Sequence, residues 1–239
     1  MTRTIPSALL FDVFGTVVDW HGTVAREAAL LLRPKGIALD WEGFAKAWRK
    51  EYAPSFMPIV RGERSYADLD VLHRENLLRV LAAEGLPPQD DALVDELVRI
   101  WHRLDPWPDA VGGLRRLRGR FPLCTVSNGH AALMAAMARH AGLDWDLILG
   151  SEPAQQYKPH PRVYLTAANW LRLEPGACMM VATHENDLKA AAECGLRTAY
   201  VCRPHEFGRR DGDGFDDMPS GSYDVVARDF HDLAAQLGC

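Results

Sequence analysis

The hydrophobic pattern begins with an unbroken apolar run at residues 8–11, Ala-Leu-Leu-Phe, which leads directly to Asp12. A run without polar alternation is typical of a parallel strand covered on both faces, and open α/β sheets bind ligands beyond the carboxyl ends of such strands. Gly15 permits a sharp turn and the close approach of a ligand, and the Thr16 hydroxyl can orient the Asp12 carboxylate. The stretch therefore predicts a buried strand ending in a reactive loop; the alternative is a surface turn with an incidental aspartate.

From Trp20 onward, apolar positions recur with a helical period for almost ninety residues. The pattern predicts four helices, at residues 20–33, 41–52, 65–84 and 90–103. Pro54 is expected to close the second helix, while Ser65 caps the third and Gly85 follows it. Amphipathic helices with short connections predict a small bundle inserted after the first strand, with Pro106-Trp107-Pro108 at its exit.

From Asp109 the pattern alternates between helices and apolar strands, which predicts βαβ units and a parallel sheet. Strands are expected at 122–126, 147–149, 178–182 and 198–202, and helices at 109–119, before Arg139, at 161–171, 186–193 and 228–237. The Asp- and Gly-rich segment 208–221 predicts a polar surface loop. The fold class is therefore α/β, a doubly wound Rossmann-like core of residues 1–18 and 108–239 with a helical domain at 19–107, called here the inserted segment.

Composition and charge narrow the functional classes. A 48% hydrophobic content over 239 residues is sufficient for a substantial core, and a net charge of -5 with scattered basic residues argues against nucleic acid as a partner. No apolar window is long enough for a membrane span and no signal-peptide pattern is present, so a cytoplasmic protein is expected. Five cysteines without a C-x-x-C pair predict reduced thiols rather than disulfides or a zinc site.

Side chains that can carry chemistry follow several of the predicted strands. Asp12 follows the first strand, Ser127 and Asn128 follow the second, Lys158 precedes a helix, and Asp187 follows the strand at 178–182. In a doubly wound sheet these positions converge on one crevice. Each position also has a simpler interpretation: Ser127 or Asn128 as a helix N-cap, Lys158 as a solvated lysine, and Asp187 as a helix N-terminal acid.

The order and spacing of these residues resemble the haloacid dehalogenase (HAD) superfamily, whose motifs are a nucleophilic Asp, a strand-end Ser or Thr, a Lys and a terminal acid. Its metal-dependent phosphatases carry a further Asp two residues after the nucleophile and an acidic ligand early in the last motif. Phe14 and Thr183 occupy those places here. The resemblance therefore implies neither a Mg²⁺ site nor the general acid that a phosphate leaving group requires.

The finer resemblance is to the L-2-haloacid dehalogenases. It rests on separated motifs found in the same order: Asp12-Val13-Phe14-Gly15-Thr16, Trp48-Arg49, Ser127-Asn128-Gly129, Tyr157-Lys158-Pro159 and Arg162-Val163-Tyr164. The last motif departs from the family, because His184 occupies the usual Asn position while Asp187 keeps the acid. His184 is expected to donate a hydrogen bond to the nucleophile or its water, to line the pocket, or simply to fill space.

The resemblance implies covalent catalysis, in which Asp12 displaces halide from a short 2-haloalkanoic acid and water hydrolyses the aspartyl ester to a 2-hydroxy acid. Each candidate site residue takes a role in this scheme: Arg49 and Asn128 bind halide; Ser127 and the amides of Val13 and Phe14 bind the carboxylate; Lys158, supported by Tyr164, offsets negative charge; Thr16, Thr183, His184 and Asp187 orient Asp12 and water; Phe14, Tyr66 and Trp107 form a dry wall. No metal or organic cofactor is needed. The bulk of Phe14 and His184 favours haloacetates, fluoroacetate among them, and the family suggests a homodimer.

Two rival functions remain open at this stage. A phosphatase of the same fold would release phosphate in a Mg²⁺-dependent reaction that EDTA abolishes. A non-catalytic protein of the same fold would bind a small carboxylate and release no halide. The alternatives differ in whether Asp12 reacts and with which atom.

Overall fold

The computed structural model describes residues 5–208 and 219–239. Most of the predicted polar loop at 208–221 lies outside these residues. Six strands form the main sheet: β1 (Ala8–Phe11), β4 (Leu123–Ser127), β5 (Leu147–Gly150), β6 (Cys178–Ala182), β7 (Arg197–Val201) and β8 (Val225–Ala227). Their order is β5-β4-β1-β6-β7-β8 and every neighbouring pair is parallel. The predicted α/β class with a parallel sheet is confirmed.

The apolar run at residues 8–11 forms the central strand β1, as predicted. Leu9 pairs in register with Leu123 of β4 and with Met179 of β6. Successive side chains of a strand point to opposite faces, and Leu9 and Leu10 accordingly belong to two different hydrophobic clusters. Because both faces are covered, all four residues of β1 are fully buried, which explains why the run shows no polar alternation.

Eleven α-helices occur in the described ranges. They are α1 (Trp20–Leu32), α2 (Trp41–Lys50), α3 (Tyr52–Val60), α4 (Leu69–Ala83), α5 (Asp91–Val98), α6 (Ala110–Arg118), α7 (Ala131–Ala141), α8 (Ser151–Ala154), α9 (Pro161–Trp170), α10 (Glu185–Glu193) and α11 (Phe230–Gln236), with 3-10 turns at Arg33–Lys35, Arg99–His102 and Pro175–Ala177. Helices α6, α7 and α11 contribute to the cluster on one face of the sheet, and α9 and α10 to the cluster on the other. None of the helices within 5–208 and 219–239 is long and apolar enough to cross a membrane.

The inserted segment contains five α-helices, α1 to α5, instead of the four predicted. The prediction that Pro54 closes the second helix was wrong, because Pro54 lies in the first turn of α3, where a missing N–H leaves no helical hydrogen bond unmade. The prediction that Ser65 caps the next helix was also wrong. Helix α4 begins at Leu69, and its N-cap is Asp68, whose carboxylate accepts a hydrogen bond from the amide of Val71.

A short antiparallel ribbon carries the chain into and out of the inserted segment. It pairs β2 (Val18–Asp19) with β3 (Asp105–Pro106), next to the predicted exit. A second joint lies between α4 and the start of α7, where Asp70 accepts a hydrogen bond from His102 at 2.8 Å and lies 3.6 Å from His130. The contact with His130, the N-cap of α7, joins α4 of the inserted segment to the rest of the chain, which carries the main sheet and is called here the sheet domain. Strand β8 and helix α8 were not predicted.

Candidate active site

A cavity of about 390 Å³ lies beyond the carboxyl ends of β1, β4 and β6, between the sheet and helices α2 and α3. This is where parallel sheets bind ligands. Eight predicted site residues line it: Asp12, Phe14, Arg49, Asn128, Lys158, Tyr164, His184 and Asp187. Six further residues complete the wall: Tyr52, Ala53, Phe56, Met57, Pro159 and Asn186. The inserted segment and the sheet domain therefore both supply parts of one cavity.

The Lys158 ammonium bridges two buried carboxylates. It donates hydrogen bonds to Asp12 Oδ1 at 2.7 Å and to Asp187 Oδ2 at 2.6 Å. Burial alone would raise the pKa of Asp12, but the charges of Lys158 and then of His184 outweigh burial and hold that pKa well below its usual range. Asp12 is therefore an ionised carboxylate at neutral pH, the state that a nucleophile requires.

Asp187 differs from Asp12 in its electrostatic environment. Its Oδ1 accepts a hydrogen bond of 2.5 Å from the Tyr164 hydroxyl. Burial raises the pKa of Asp187, and the Lys158 charge does not reverse this shift. Two carboxylates that share one cation separate in proton affinity, so Asp187 takes up a proton more readily than Asp12. The simpler interpretations of Lys158 as a solvated lysine and of Asp187 as a mere helix N-terminal acid do not fit these contacts.

The second oxygen of Asp12 has two side-chain partners. The Thr16 hydroxyl donates to Asp12 Oδ2 at 2.8 Å, and His184 Nδ1 lies 3.1 Å from the same oxygen. Thr16 Oγ1 in turn accepts from the amide of Thr183 at 3.0 Å. Thr183 therefore contributes its main chain to this network and does not line the cavity.

Glu206 is a site residue that the sequence analysis missed. Its carboxylate lies 3.0 and 3.1 Å from His184 Nε2 and accepts a hydrogen bond from the Trp20 indole at 2.9 Å. Gly15 makes room for it, because a Cβ at Gly15, where φ is +86°, would collide with this carboxylate. Glu206 follows β7 in the chain, which is the one sequence signal for it, but no motif distinguishes it from the polar residues around it.

Arg49 projects from the last turn of α2 into the cavity. Its guanidinium carbon lies 4.0 Å from the centroid of the Tyr52 ring and 5.5 Å from that of Trp20. The Nη1 atom is buried and has no hydrogen-bond partner within the described part of the chain. A buried donor without a partner is costly unless a ligand satisfies it, so Arg49 is suited to hold an anion. Its neighbour Trp48 is fully packed and donates to the carbonyl of His73.

Asn128 lines the cavity, whereas its neighbour Ser127 does not. Asn128 Oδ1 accepts from the Lys158 amide at 2.8 Å, and the amide nitrogen is the donor end of the side chain, which bonds the Tyr52 hydroxyl. Ser127 is fully buried, and its hydroxyl accepts from the Gly129 amide at 3.2 Å. Neither residue caps α7, whose N-cap is His130. Ser127 therefore shapes the turn after β4 instead of contacting the space where a substrate would lie.

Tyr66 and Trp107, expected in the cavity wall, lie elsewhere. The Tyr66 ring stacks on Tyr157 and its hydroxyl lies 3.2 Å from Ser151 Oγ. The Trp107 indole donates to the carbonyl of Gly15 at 2.8 Å and so holds the loop that follows β1. Aromatic residues of α3, Phe56 among them, take their place in the wall. The sequence analysis missed them because it did not predict this helix. Val13 is fully buried and contributes main chain only.

A phosphatase-type Mg²⁺ site does not fit these residues. Phe14 and Thr183 stand where that chemistry needs carboxylates, and Mg²⁺ prefers an octahedron of oxygen ligands. The space between Asp12 and Asp187 is spanned by the Lys158 ammonium, which already neutralises both carboxylates.

Comparisons with known proteins agree with this geometry. The protein-family model that describes haloacid dehalogenase-like hydrolases matches residues 6–195 of this chain. The chain is 30% identical over 207 residues to (S)-2-haloacid dehalogenase 1 of Pseudomonas sp. (strain CBS-3), an alignment that covers 84% of this chain and 87% of that one. The solved structure of a defluorinating L-2-haloacid dehalogenase superposes with a TM-score of 0.94 at 44% identity, covering 98% and 96% of the two chains.

A second L-2-haloacid dehalogenase structure superposes with a TM-score of 0.91 at 39% identity, covering 97% of this chain and 98% of that chain. The similarity thus includes the inserted segment as well as the sheet domain. The chain belongs to the haloacid dehalogenase-like hydrolases.

Proposed function

We propose that this protein is a hydrolytic dehalogenase that converts short 2-haloalkanoic acids into 2-hydroxy acids through an ester on Asp12. The observation that carries the proposal is the contact of 2.7 Å between Lys158 Nζ and Asp12 Oδ1 in a cavity that Phe14, two residues after Asp12, also lines. A carboxylate that is paired with an ammonium, and that has an aromatic residue instead of a second carboxylate two positions later, is suited to attack carbon. The (S)-2-haloacid and L-2-haloacid dehalogenases among the relatives act on this class of substrate.

In the first step, an Asp12 oxygen attacks Cα of the substrate and the C–halogen bonding pair leaves with the halide. Arg49 Nη1 is a buried donor without a partner among the described residues, and Asn128 lines the same cavity. Both are suited to stabilise the halide. Among described residues, the amides of Val13 and Phe14 donate to no other group, and we assign the substrate carboxylate to them.

In the second step, water adds to Cγ of the ester and the 2-hydroxy acid leaves. Asp187 is the base best suited to that water, because Asp12 is esterified at this point and Asp187 is the remaining carboxylate beside Lys158, with a pKa that burial raises. Tyr164 donates to Asp187 and fixes its orientation. Lys158 keeps two buried acids and an anionic substrate in one cavity, which would otherwise cost several kcal/mol.

The size and wall of the cavity favour small substrates. It holds about 390 Å³, shared between the reacting groups and the side chains of Phe14, Phe56 and Met57. Haloacetates and L-2-halopropionates fit this description. One relative is described as defluorinating, so fluoroacetate belongs among the substrates to be tested.

The remaining features of the proposal concern the whole protein. We assign residues 1–18 and 108–239 to a core domain and 19–107 to a cap domain, and we place the protein in the cytoplasm as a homodimer, as the family resemblance suggests. The reaction as written uses no metal or organic cofactor. Size-exclusion chromatography with light scattering tests the dimer.

One assay tests the function. Purified protein is incubated with fluoro-, chloro- and bromoacetate and with L- and D-2-chloropropionate, with and without EDTA, and halide is measured. We expect halide from a haloacetate or the L isomer, unaffected by EDTA, and none from Asp12→Asn. The exposed Asp144→Asn variant is the matched control and keeps full activity. EDTA-sensitive phosphate release from an aryl phosphate, without halide release, would instead support the phosphatase; binding of a carboxylate without turnover would support the non-catalytic protein.

A further inference from the structure

His184 lies between two carboxylates. Its Nδ1 is 3.1 Å from Asp12 Oδ2, and its Nε2 is 3.0 Å from Glu206 Oε1. Ionised carboxylates only accept hydrogen bonds, so a ring that binds one on each side must carry a proton on both nitrogens. The family motif has asparagine at this position, and an amide cannot make the same pair of charged contacts.

The surroundings of Glu206 favour its contact with His184. Its side chain is buried, and the partners described for it are the His184 ring and the Trp20 indole. A buried carboxylate is costly unless it is paired with a charge, and the His184 imidazolium supplies that charge. Gly15 leaves the space that the carboxylate occupies.

From this arrangement we infer that Glu206 is a positioning residue for dehalogenation, which keeps His184 as a charged N–H donor on Asp12 through both chemical steps. The inference rests on the proposed function. Burial would lower the pKa of His184, but the bonds to Asp12 and then Glu206 outweigh it and raise that pKa to about 10. The ring therefore remains charged at neutral pH, in agreement with the contacts.

The two oxygens of Asp12 then have different roles. Oδ1 contacts Lys158, whereas Oδ2 accepts from both Thr16 and His184. We assign Oδ1 as the attacking oxygen, so that Oδ2 becomes the carbonyl oxygen of the ester. When water adds to Cγ, the π electrons of that carbonyl move onto Oδ2, where the two donors stabilise the negative charge.

The proton balance of the second step leaves His184 unchanged. When the tetrahedral intermediate collapses, the Oδ1–Cα ester group leaves as an alcohol and the carboxylate re-forms with one oxygen from water. Of the two water protons, one ends on the product hydroxyl, and the other passes to Asp187 and from there to solvent. His184 only donates a hydrogen bond, which is why its second partner must hold it charged.

The charged groups around the ring come from several elements. They are Asp12 after β1, Glu206 after β7, and, beyond Asp12, Lys158 before α9, Asp187 on α10 and Arg49 on α2. Of these, Glu206 can be neutralised without removing a group that lines the cavity. It is therefore the residue to change.

The test is Glu206→Gln in the full-length protein. We expect a loss of about 10²-fold in the rate of ester hydrolysis at pH 9, accumulation of an Asp12 adduct visible by mass spectrometry, and a KM that falls together with kcat, because both depend on ester hydrolysis once that step limits turnover. The alkaline limb of the kcat profile should move down by more than one pH unit, and Glu206→Asp should restore part of the wild-type profile. Glu185→Gln is the matched control, because Glu185 adjoins His184 in the chain but its carboxylate bonds Ser220 and Tyr223.

A second readout needs no turnover. In ¹⁵N-histidine NMR spectra we expect both ring nitrogens of His184 to be protonated at pH 8 in the wild type and the ring to be neutral in Glu206→Gln. An unchanged kcat profile without adduct, or an unchanged His184 spectrum, overturns the inference. If the wild type releases no halide, the proposed function fails while the NMR comparison still tests the charge on His184.

Discussion

At the residue scale, Arg49 is a cavity cation that pairs with no carboxylate in residues 5–208 and 219–239, in contrast to Lys158. Its Nη1 lacks a partner within the described ranges, and its planar group stacks on Tyr52. Lysine keeps the charge but loses the planar array of donors and the stacking. We therefore expect Arg49→Lys to lower kcat for chloroacetate by about 10²-fold, since a donor to developing charge is lost. Halide-release kinetics measure this; Lys50→Met, one position along, is the control, and equal effects of both would contradict an anion-binding Arg49.

The residues of the site differ in how far sequence could predict them. Asp12, Asn128 and Asp187 each follow a strand of a parallel sheet, so topology alone brings them to one edge. Glu206 also follows a strand, but it lies in a polar stretch without a motif, and only the folded structure brings it to His184. Ser127 shows the opposite case: it lies at the right edge, yet its hydroxyl turns toward Gly129.

At the element scale, helix α3 sets the size of the cavity. Tyr52, Ala53, Phe56 and Met57 all line it from this helix. Met57 is unbranched and only partly buried, so truncation removes wall without breaking a stacked pair, whereas Phe56 stacks on Tyr157 at 5.3 Å. We expect Met57→Ala to raise kcat/KM for 2-bromobutanoate relative to chloroacetate by about tenfold, the scale of a methylene-sized change in a pocket.

The ratio of the two kcat/KM values, measured by halide release, tests the role of α3. Val60→Ala, at the end of the same helix but outside the cavity wall, is the control and should leave the ratio unchanged. A ratio that Met57→Ala also leaves unchanged would mean that another element limits substrate size.

The elements that sequence analysis missed are those whose local sequence carries no clear signal for them. Pro54 predicted a break, yet it lies in the first turn of α3, and the same helix also contains Pro58. Strand β8 has three residues and acquires its conformation from pairing with β7, which no local pattern reveals. The long apolar runs of β1 and β6 were predictable because burial on both faces leaves a signal in every residue.

At the scale of the whole molecule, the Asp70 carboxylate joins the inserted segment to the sheet domain through His130, besides binding His102 within the segment. Asp70 is partly exposed, so its pairing is worth about 1 kcal/mol at most. We expect Asp70→Asn to lower Tm by about 2–4 °C for a chain of this size. Calorimetry tests this, with the exposed Glu63→Gln as control because its partner Arg61 is only two residues away. Equal Tm values for Asp70→Asn and the wild type would show that the joint carries no stability.

The charge on His184 also links the site to the stability of the whole molecule. Its folded pKa, about 10, lies above the ordinary 6.5 because the carboxylates of Asp12 and Glu206 outweigh burial. A raised pKa contributes stability that is complete below pH 6.5 and is lost as pH rises through 10. We therefore expect the Tm of the wild type to fall between pH 7 and 10 more steeply than that of His184→Asn, which cannot titrate. Below pH 5 we expect the Tm of both proteins to fall, because the pKa of Asp12 is depressed and the stability that its carboxylate contributes is lost in acid. Thermal unfolding followed by circular dichroism from pH 5 to 10.5 measures both limbs, and parallel curves on the alkaline side would show that His184 is neutral in the folded protein.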